Sequence, residues 1–95
     1  MMYRIPSVVK SAARKGLKAN ENMKCNNAIG VRRAKQLIAN DTVSMVTVKK
    51  MFSYLSRAKT YYQPGNMKTC GTVSYLLWGG IPAFRWTKKI VNQHK

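Results

Sequence analysis

Nearly all of the charged side chains in this 95-residue chain are cations. Lysine and arginine total 18, whereas the only acids are Glu21 and Asp41 and the only histidine is His94, so the formal net charge is +16. General acid–base hydrolysis of glycosides uses paired carboxylates, and a Ser-His-Asp triad needs a histidine between its two partners. The chain lacks material for either arrangement, so we predict no catalytic residue and no enzymatic activity.

The two cysteines, Cys25 and Cys70, stand alone in the sequence, with no CxxC spacing and no group of other ligands around them. A structural metal site usually draws four such ligands from closely spaced positions. We therefore predict no metal site and no cofactor. A disulfide between Cys25 and Cys70 would need an oxidising compartment, and no feature of the chain indicates secretion. We expect both residues to be reduced thiols that behave as small apolar side chains.

The surplus of positive charge indicates a partner of opposite charge. Protein surfaces normally mix both signs, because like charges repel one another. A DNA duplex carries one negative charge per about 1.7 Å and releases counterions when cations bind it. We therefore expect DNA or another polyanion as the partner; an acidic protein surface and anionic lipid are the alternatives. The predicted nucleic-acid-binding residues are Arg14, Lys15, Lys18, Arg32, Arg33, Lys49, Lys50, Arg57, Lys88 and Lys89 as phosphate contacts, and Ser44 and Thr47 as candidates for base-edge contact.

The helical spacing of the apolar residues predicts a single all-α domain over residues 1–95, built from about five short helices. No stretch alternates in the manner of a strand, and no repeat divides the chain. Residues 1–6 and 93–95 are expected to be flexible. The first expected helix begins after Pro6 with Ser7 as N-cap, and the second runs from about Ile29 to Ala39. The third begins after Ser44. The fourth runs from after Thr69 to the Gly79-Gly80 break, and the fifth begins near Pro82.

The second and third predicted helices are candidates for a helix-turn-helix. They would pack across a turn at Asn40–Val43, with Asn40 in the left-handed conformation, and the helix that begins near Ser44 would be the recognition helix. Two antiparallel core helices joined by a short loop give the same sequence pattern. In both arrangements Ser44 caps the third helix, and Val43 and Val48 occupy the two positions of a hydrophobic staple.

Aromatic residues lie beside cations at two places. Tyr61 and Tyr62 fall in a predicted loop, where exposed tyrosines would stack on unpaired bases and favour single strands; burial in the core is the alternative. Trp78, Phe84 and Trp86 are expected in the core. The turn between the last two helices would bring Trp78 beside Trp86.

Four stretches keep a recognisable order from about Ser11 to Val91. They are Ala12–Leu17, Gly30–Lys35, Thr47–Met51 with Ser53-Tyr54, and Leu76–Gly80 with Trp86 six residues further on. In these stretches the chain resembles a short helical module that recurs in small and virion-associated proteins of tailed bacteriophages. The resemblance implies a phage origin and an all-helical fold, but no activity, because most members are uncharacterised. The module usually has an Asp after the double glycine and an acid at the position of Gln36; their absence here implies a member directed more strongly to polyanions.

These features together predict a phage-encoded, non-enzymatic DNA-binding protein that contacts mainly the phosphate backbone, in the host cytoplasm or in the virion. One alternative is a small interaction protein that docks on an acidic host protein such as RNA polymerase or a nuclease. Another is a structural virion component that contacts capsid proteins. No membrane partner is expected, because the longest apolar stretch, Val73–Phe84, is short and is broken by glycine and proline. Residues 1–20 are basic and acid-free like a mitochondrial presequence, but the rest of the chain is equally poor in acids.

Overall fold

A computed structural model describes residues 2–21, 23, 25, 27–63, 65–66 and 68–93 of the chain. Helices dominate these residues, which pack around one core, so the predicted all-helical domain is confirmed. The end of the chain expected to be flexible, residues 93–95, falls outside the described part except for Gln93. The elements are β1 (Met2–Arg4), α1 (Ser7–Glu21), α2 (Ala28–Ala39), β2 (Thr42–Ser44), α3 (Met45–Ala58), a short 3₁₀ helix (Lys59–Tyr61), α4 (Cys70–Leu77) and α5 (Gly80–Gln93).

A small two-stranded sheet, which the sequence did not predict, holds the first described residues. β1 pairs antiparallel with β2, with Tyr3 opposite Val43, and the amide of Ile5 donates a hydrogen bond to the carbonyl of Asp41 at 2.8 Å. Ile5 is only 5% exposed and belongs to the core. These residues therefore have a fixed place in the fold, in contrast to the flexible segment expected over residues 1–6.

Helix α1 packs against α4 and α2 through a narrow face of small residues. Val9, Ala13 and Gly16 are buried at helical spacing, whereas the neighbouring Val8 is 57% exposed. Consecutive helical residues lie about 100° apart around the axis, so a face centred on Val9 and Ala13 turns Val8 outward. The close approach of α1 to α4 depends on a residue without a side chain at position 16.

Helix α3 has the N-terminus that the sequence predicts. The hydroxyl of Ser44 accepts a hydrogen bond from the amide of Thr47 at 3.4 Å, and Val43 and Val48 are both buried. The cap satisfies one of the amides that the first turn leaves without an intrahelical partner. Met51 and Leu55 continue the buried face, which packs mainly on α5.

The connection between α2 and α3 is not the turn of a helix-turn-helix. Asn40 is extended (φ −113°, ψ 149°) rather than left-handed, and the next residues enter β2. Helix α2 packs on α1 and α4, whereas α3 packs on α5, so the two helices make little contact with each other. Pairing with β1 pulls the connection into an extended form, and the helix-turn-helix prediction was wrong.

The cysteines are joined in a disulfide, so the prediction of two reduced thiols was wrong. Cys25 follows α1 and Cys70 begins α4, and their Cα atoms are 5.8 Å apart. Their distance along the sequence carries no information on their distance in space. The packing of α1 on α4 brings the two residues together, and the bond ties the segment that leads into α2 to the first turn of α4.

Two glycines in left-handed backbone form the break between α4 and α5, as the sequence predicts, and Gly80 is the first residue of α5. Gly79 has φ +105° and Gly80 has φ +65°. A side chain at either position would be strained, and a Cβ on Gly79 would also lie 2.9 Å from Val9. The sharp turn allows Leu77 and Ala83, on either side of it, to enter the same core.

Candidate nucleic-acid interface

The predicted phosphate contacts are distributed over four helices. Arg14, Lys15 and Lys18 lie on α1, Arg32 and Arg33 on α2, Lys49, Lys50 and Arg57 on α3, and Lys88 and Lys89 on α5; all except Arg33 are exposed. Lys10 forms an ion pair with Asp41 at 3.6 Å. Because the chain has two acids for 18 cations, most of this charge has no intramolecular partner.

Three of the predicted cations converge on one groove. Arg33 from α2 and Lys50 and Arg57 from α3 line an open cavity of about 800 Å³, which we call the α2–α3 groove. The aromatic and hydroxyl groups that line it come from Ser53 and Tyr54 on α3, Ser74 on α4 and Trp78 at the end of α4. Helices α2 and α3 therefore form the two walls, and α4 supplies the floor between them.

The floor of the α2–α3 groove is an ordered stack of side chains. The rings of Tyr54 and Trp78 are nearly parallel (8°), with centroids 4.2 Å apart. The hydroxyl of Tyr54 is 2.5 Å from that of Ser74, and the guanidinium carbon of Arg33 lies 5.0 Å from the centroid of Trp78. Trp78 is 7% exposed, which confirms its predicted place in the core. These contacts fix the orientation of Tyr54, the more exposed of the two rings.

Arg33 is the most constrained cation of the groove. Its Nη1 donates to the side-chain oxygen of Gln36, and its Nε is buried without a hydrogen-bond partner among the described residues. Partial burial lowers the pKa of the Arg33 guanidinium below its ordinary value, because the charged form loses hydration. Arginine remains protonated in proteins at neutral pH. Arg33 is therefore a fixed positive charge beside the aromatic floor.

A smaller hollow adjoins the groove and extends it along α3. Tyr54, Arg57, Ala58 and Tyr61 line this hollow of about 300 Å³, and the first two also line the groove. Tyr61 is 68% exposed. Tyr62 behaves differently, because its ring stacks on the buried ring of Tyr75 at 4.8 Å. The sequence left open whether Tyr61 and Tyr62 are exposed or packed in the core. Tyr61 is on the surface, and Tyr62 packs on the core.

The other predicted residues lie apart from the groove lining. Arg32 lines a separate hollow of about 520 Å³ near Cys25. The ammonium groups of Lys59 and Lys88 lie 4.8 and 5.8 Å from the centroid of Phe84. Ser44 and Thr47 are half-buried and form the cap of α3, where their hydroxyls are 3.5 Å apart.

Two aromatic residues predicted for the core are only half-buried. Phe84 stacks on Phe52 with centroids 6.0 Å apart, and Trp86 lies at the edge of the core rather than within it. The buried residues of α5 include Ala83, Thr87 and Ile90. Trp78 contacts Tyr54 and Arg33, so the predicted pairing of Trp78 with Trp86 is replaced by a stack against α3.

The sequence contained a signal for the groove that was missed. Lys50, Tyr54 and Arg57 are spaced i, i+4, i+7, which places a cation, a ring and a second cation on one face of α3. Ser74 and Trp78 have no such signal, because only the packing of α4 brings them beneath α2 and α3.

No family model, curated protein or solved structure matches the chain. The resemblance to the phage module therefore stays a prediction. Among the described residues, no helix is long and apolar enough to span a bilayer, and no three His, Cys, Asp or Glu side chains are grouped so that they could hold a metal ion.

Proposed function

We propose that the protein is a non-enzymatic nucleic-acid-binding protein that acts mainly through contacts with the phosphate backbone. The observation that carries this proposal is the excess of lysines and arginines over acids, with two exposed cations, Lys50 and Arg57, facing the half-buried Arg33 across the α2–α3 groove. Phosphate contacts need only cations within reach of the strand, and counterion release supplies the free energy. A phage origin and a place in the virion follow from the resemblance alone, and both are predictions.

The salt dependence of binding tests this function. If about six phosphates are contacted on a duplex, the slope of log K against log salt concentration is expected to be near −5, because each contact contributes roughly −0.9. The measurement is fluorescence anisotropy of a labelled duplex titrated with the protein at several NaCl concentrations. An affinity that stays constant between low and physiological salt would contradict backbone binding.

Poly-glutamate of matched charge serves as the control polyanion. It carries the charge of an acidic protein surface but lacks phosphates, sugars and bases. Equal competition by poly-glutamate and by nucleic acid would favour the acidic-protein alternative over the proposed function. Weak competition by poly-glutamate is the expected result, because its carboxylates are spaced less densely than the phosphates of a duplex.

A further inference from the structure

We propose that the α2–α3 groove and the adjoining hollow at Tyr61 bind an unpaired segment of a nucleic-acid strand. The bases would lie against the aromatic side chains and the phosphates against Lys50 and Arg57. This inference rests on the proposed function and specifies which form of nucleic acid the site takes.

The order of side chains along α3 suits a single strand. Lys50, Tyr54 and Arg57 follow one another on one helix face, so the two cations are separated by about 10 Å along the axis with a ring between them. Tyr61 continues the series beyond Arg57. Proteins that bind single strands combine such a cationic path with rings on which successive bases stack. Charge and stacking surface here occur along the same line.

The exposed ring of Tyr61 favours unpaired bases over a duplex. In a duplex the faces of the bases are covered by their neighbours, and only base edges and phosphates are presented. Phosphate contacts alone would need no aromatic side chain beside the cations. Tyr61 is 68% exposed and lines the adjoining hollow together with Tyr54 and Arg57, which also line the groove.

The electrostatics of the two hollows also fit a strand. The side chains described as lining them include Arg33, Lys50 and Arg57 but no acid. Arg33 is held against Trp78 and does not depend on a ligand for its position. The site therefore presents fixed positive charge above a fixed aromatic floor before any ligand arrives, which reduces the entropy lost on binding.

The first experiment compares a labelled single-stranded oligonucleotide with the duplex of the same sequence, using the protein with its disulfide intact. Equal or tighter binding of the single strand is expected, although the duplex has the denser charge. In a Trp86→Phe background Trp78 is the sole tryptophan, because the chain has two. We expect the single strand to change the fluorescence of Trp78 and the duplex to leave it unchanged.

The second experiment uses matched variants on the same surface. Tyr61→Ala should weaken single-strand binding at least about fivefold, the lower end for one stacked base, and leave duplex binding unchanged. Val46→Ala, which shortens an exposed apolar side chain of α3 that lines neither hollow, is the control and should have no effect. Lys50→Gln should weaken single-strand binding more than Lys49→Gln, since both remove one exposed charge but only Lys50 lines the groove.

The outcomes separate the two proposals. Salt-dependent binding with a clear preference for the duplex, no effect of Tyr61→Ala, or equal effects of Lys49→Gln and Lys50→Gln would overturn the assignment of the groove and leave the proposed function intact. Absence of salt-dependent binding to both nucleic acids would overturn both proposals. Circular dichroism of each variant checks that it is folded, so that unfolding is not mistaken for a loss of binding.

Discussion

The side chain of Tyr75 lies in the core with its ring stacked on Tyr62, and its hydroxyl has no hydrogen-bond partner among the described residues. Burial raises the pKa of Tyr75, because the phenolate would lose its hydration, and together with the smaller effects of the neighbouring Tyr62 and Tyr54 it brings this pKa to about 12. A buried hydroxyl without a partner loses its hydrogen bonds to water and regains none on folding. The ring of Tyr75 therefore stabilises the fold while its hydroxyl opposes it.

Tyr75→Phe is expected to raise the free energy of unfolding by about 1 kcal/mol, since it removes an unsatisfied polar group and keeps the ring. Urea denaturation followed by circular dichroism measures the change. The matched control is Tyr54→Phe, which removes a hydroxyl that does have a partner, Ser74. That variant should lose about 1 kcal/mol. A loss of stability in Tyr75→Phe would mean that this hydroxyl is hydrogen-bonded in solution.

Among the secondary-structure elements, the sequence predicted mainly those features that depend on residues close together in the chain. The predicted cap at Ser44 is present, and α4 begins after Thr69 as predicted, because these features depend on residues within one turn. Ser7, the predicted cap of α1, is instead the first residue of that helix. The break at Gly79-Gly80 is present because only glycine readily adopts that backbone. Features created by tertiary contact were missed. The strands are three residues long, which is too short to show alternation.

The sequence predicted only the cations of the candidate site, because the other parts of the site are brought together by tertiary packing. Lys50 and Arg57 were singled out as cations, but no pattern in the sequence placed Arg33 across from them. The cavity exists because α4 packs beneath α2 and α3 and inserts Trp78 between their side chains. The disulfide was missed because the separation of two cysteines along the chain does not determine whether they meet.

The contact between α1 and α4 leads to a prediction about Gly16. An added Cβ there would lie 2.7 Å from the amide nitrogen of Leu77 and 2.9 Å from the carbonyl carbon of Leu76, and neither backbone atom can move independently of α4. Gly16→Ala is expected to destabilise the protein by about 1–3 kcal/mol through overpacking, although alanine favours a helix by about 0.5–1 kcal/mol.

Thermal denaturation of Gly16→Ala and Ser11→Ala separates the two effects. Ser11 is exposed on the same helix, so its replacement by alanine improves helix propensity without meeting a neighbour. Ser11→Ala should leave the melting temperature equal or slightly higher, whereas Gly16→Ala should lower it. A melting temperature for Gly16→Ala at or above that of the unaltered protein would mean that α1 and α4 are farther apart than described.

At the scale of the whole molecule, the charge is confined to a small body. The radius of gyration is 12.3 Å and the formal net charge is +16, so the cations lie within a few screening lengths of one another. Their repulsion is relieved when the chain expands on unfolding. The free protein is therefore less stable than its core alone would make it.

Added NaCl is expected to raise the melting temperature of the free protein, because the screening length falls from about 30 Å at 0.01 M to about 10 Å at 0.1 M. The same increase in NaCl concentration should weaken nucleic-acid binding. NaCl is therefore expected to stabilise the free protein and to destabilise its complex. Differential scanning calorimetry across this range measures the first effect. A double variant, Lys49→Gln with Lys89→Gln, carries two fewer charges and should show a smaller rise. A melting temperature that falls with NaCl would contradict the role given to self-repulsion.

The bond between Cys25 and Cys70 has a consequence for the chemistry of the groove. It fastens the segment that enters α2, one wall of the groove, to α4, which supplies the floor. If the groove binds a strand as proposed, the bound strand and the disulfide favour the same arrangement of helices. By thermodynamic reciprocity, if oxidation raises the affinity for the strand by some factor, the bound strand makes reduction of the disulfide less favourable by the same factor. The protein would thus hold its oxidised form most firmly when it is loaded with nucleic acid.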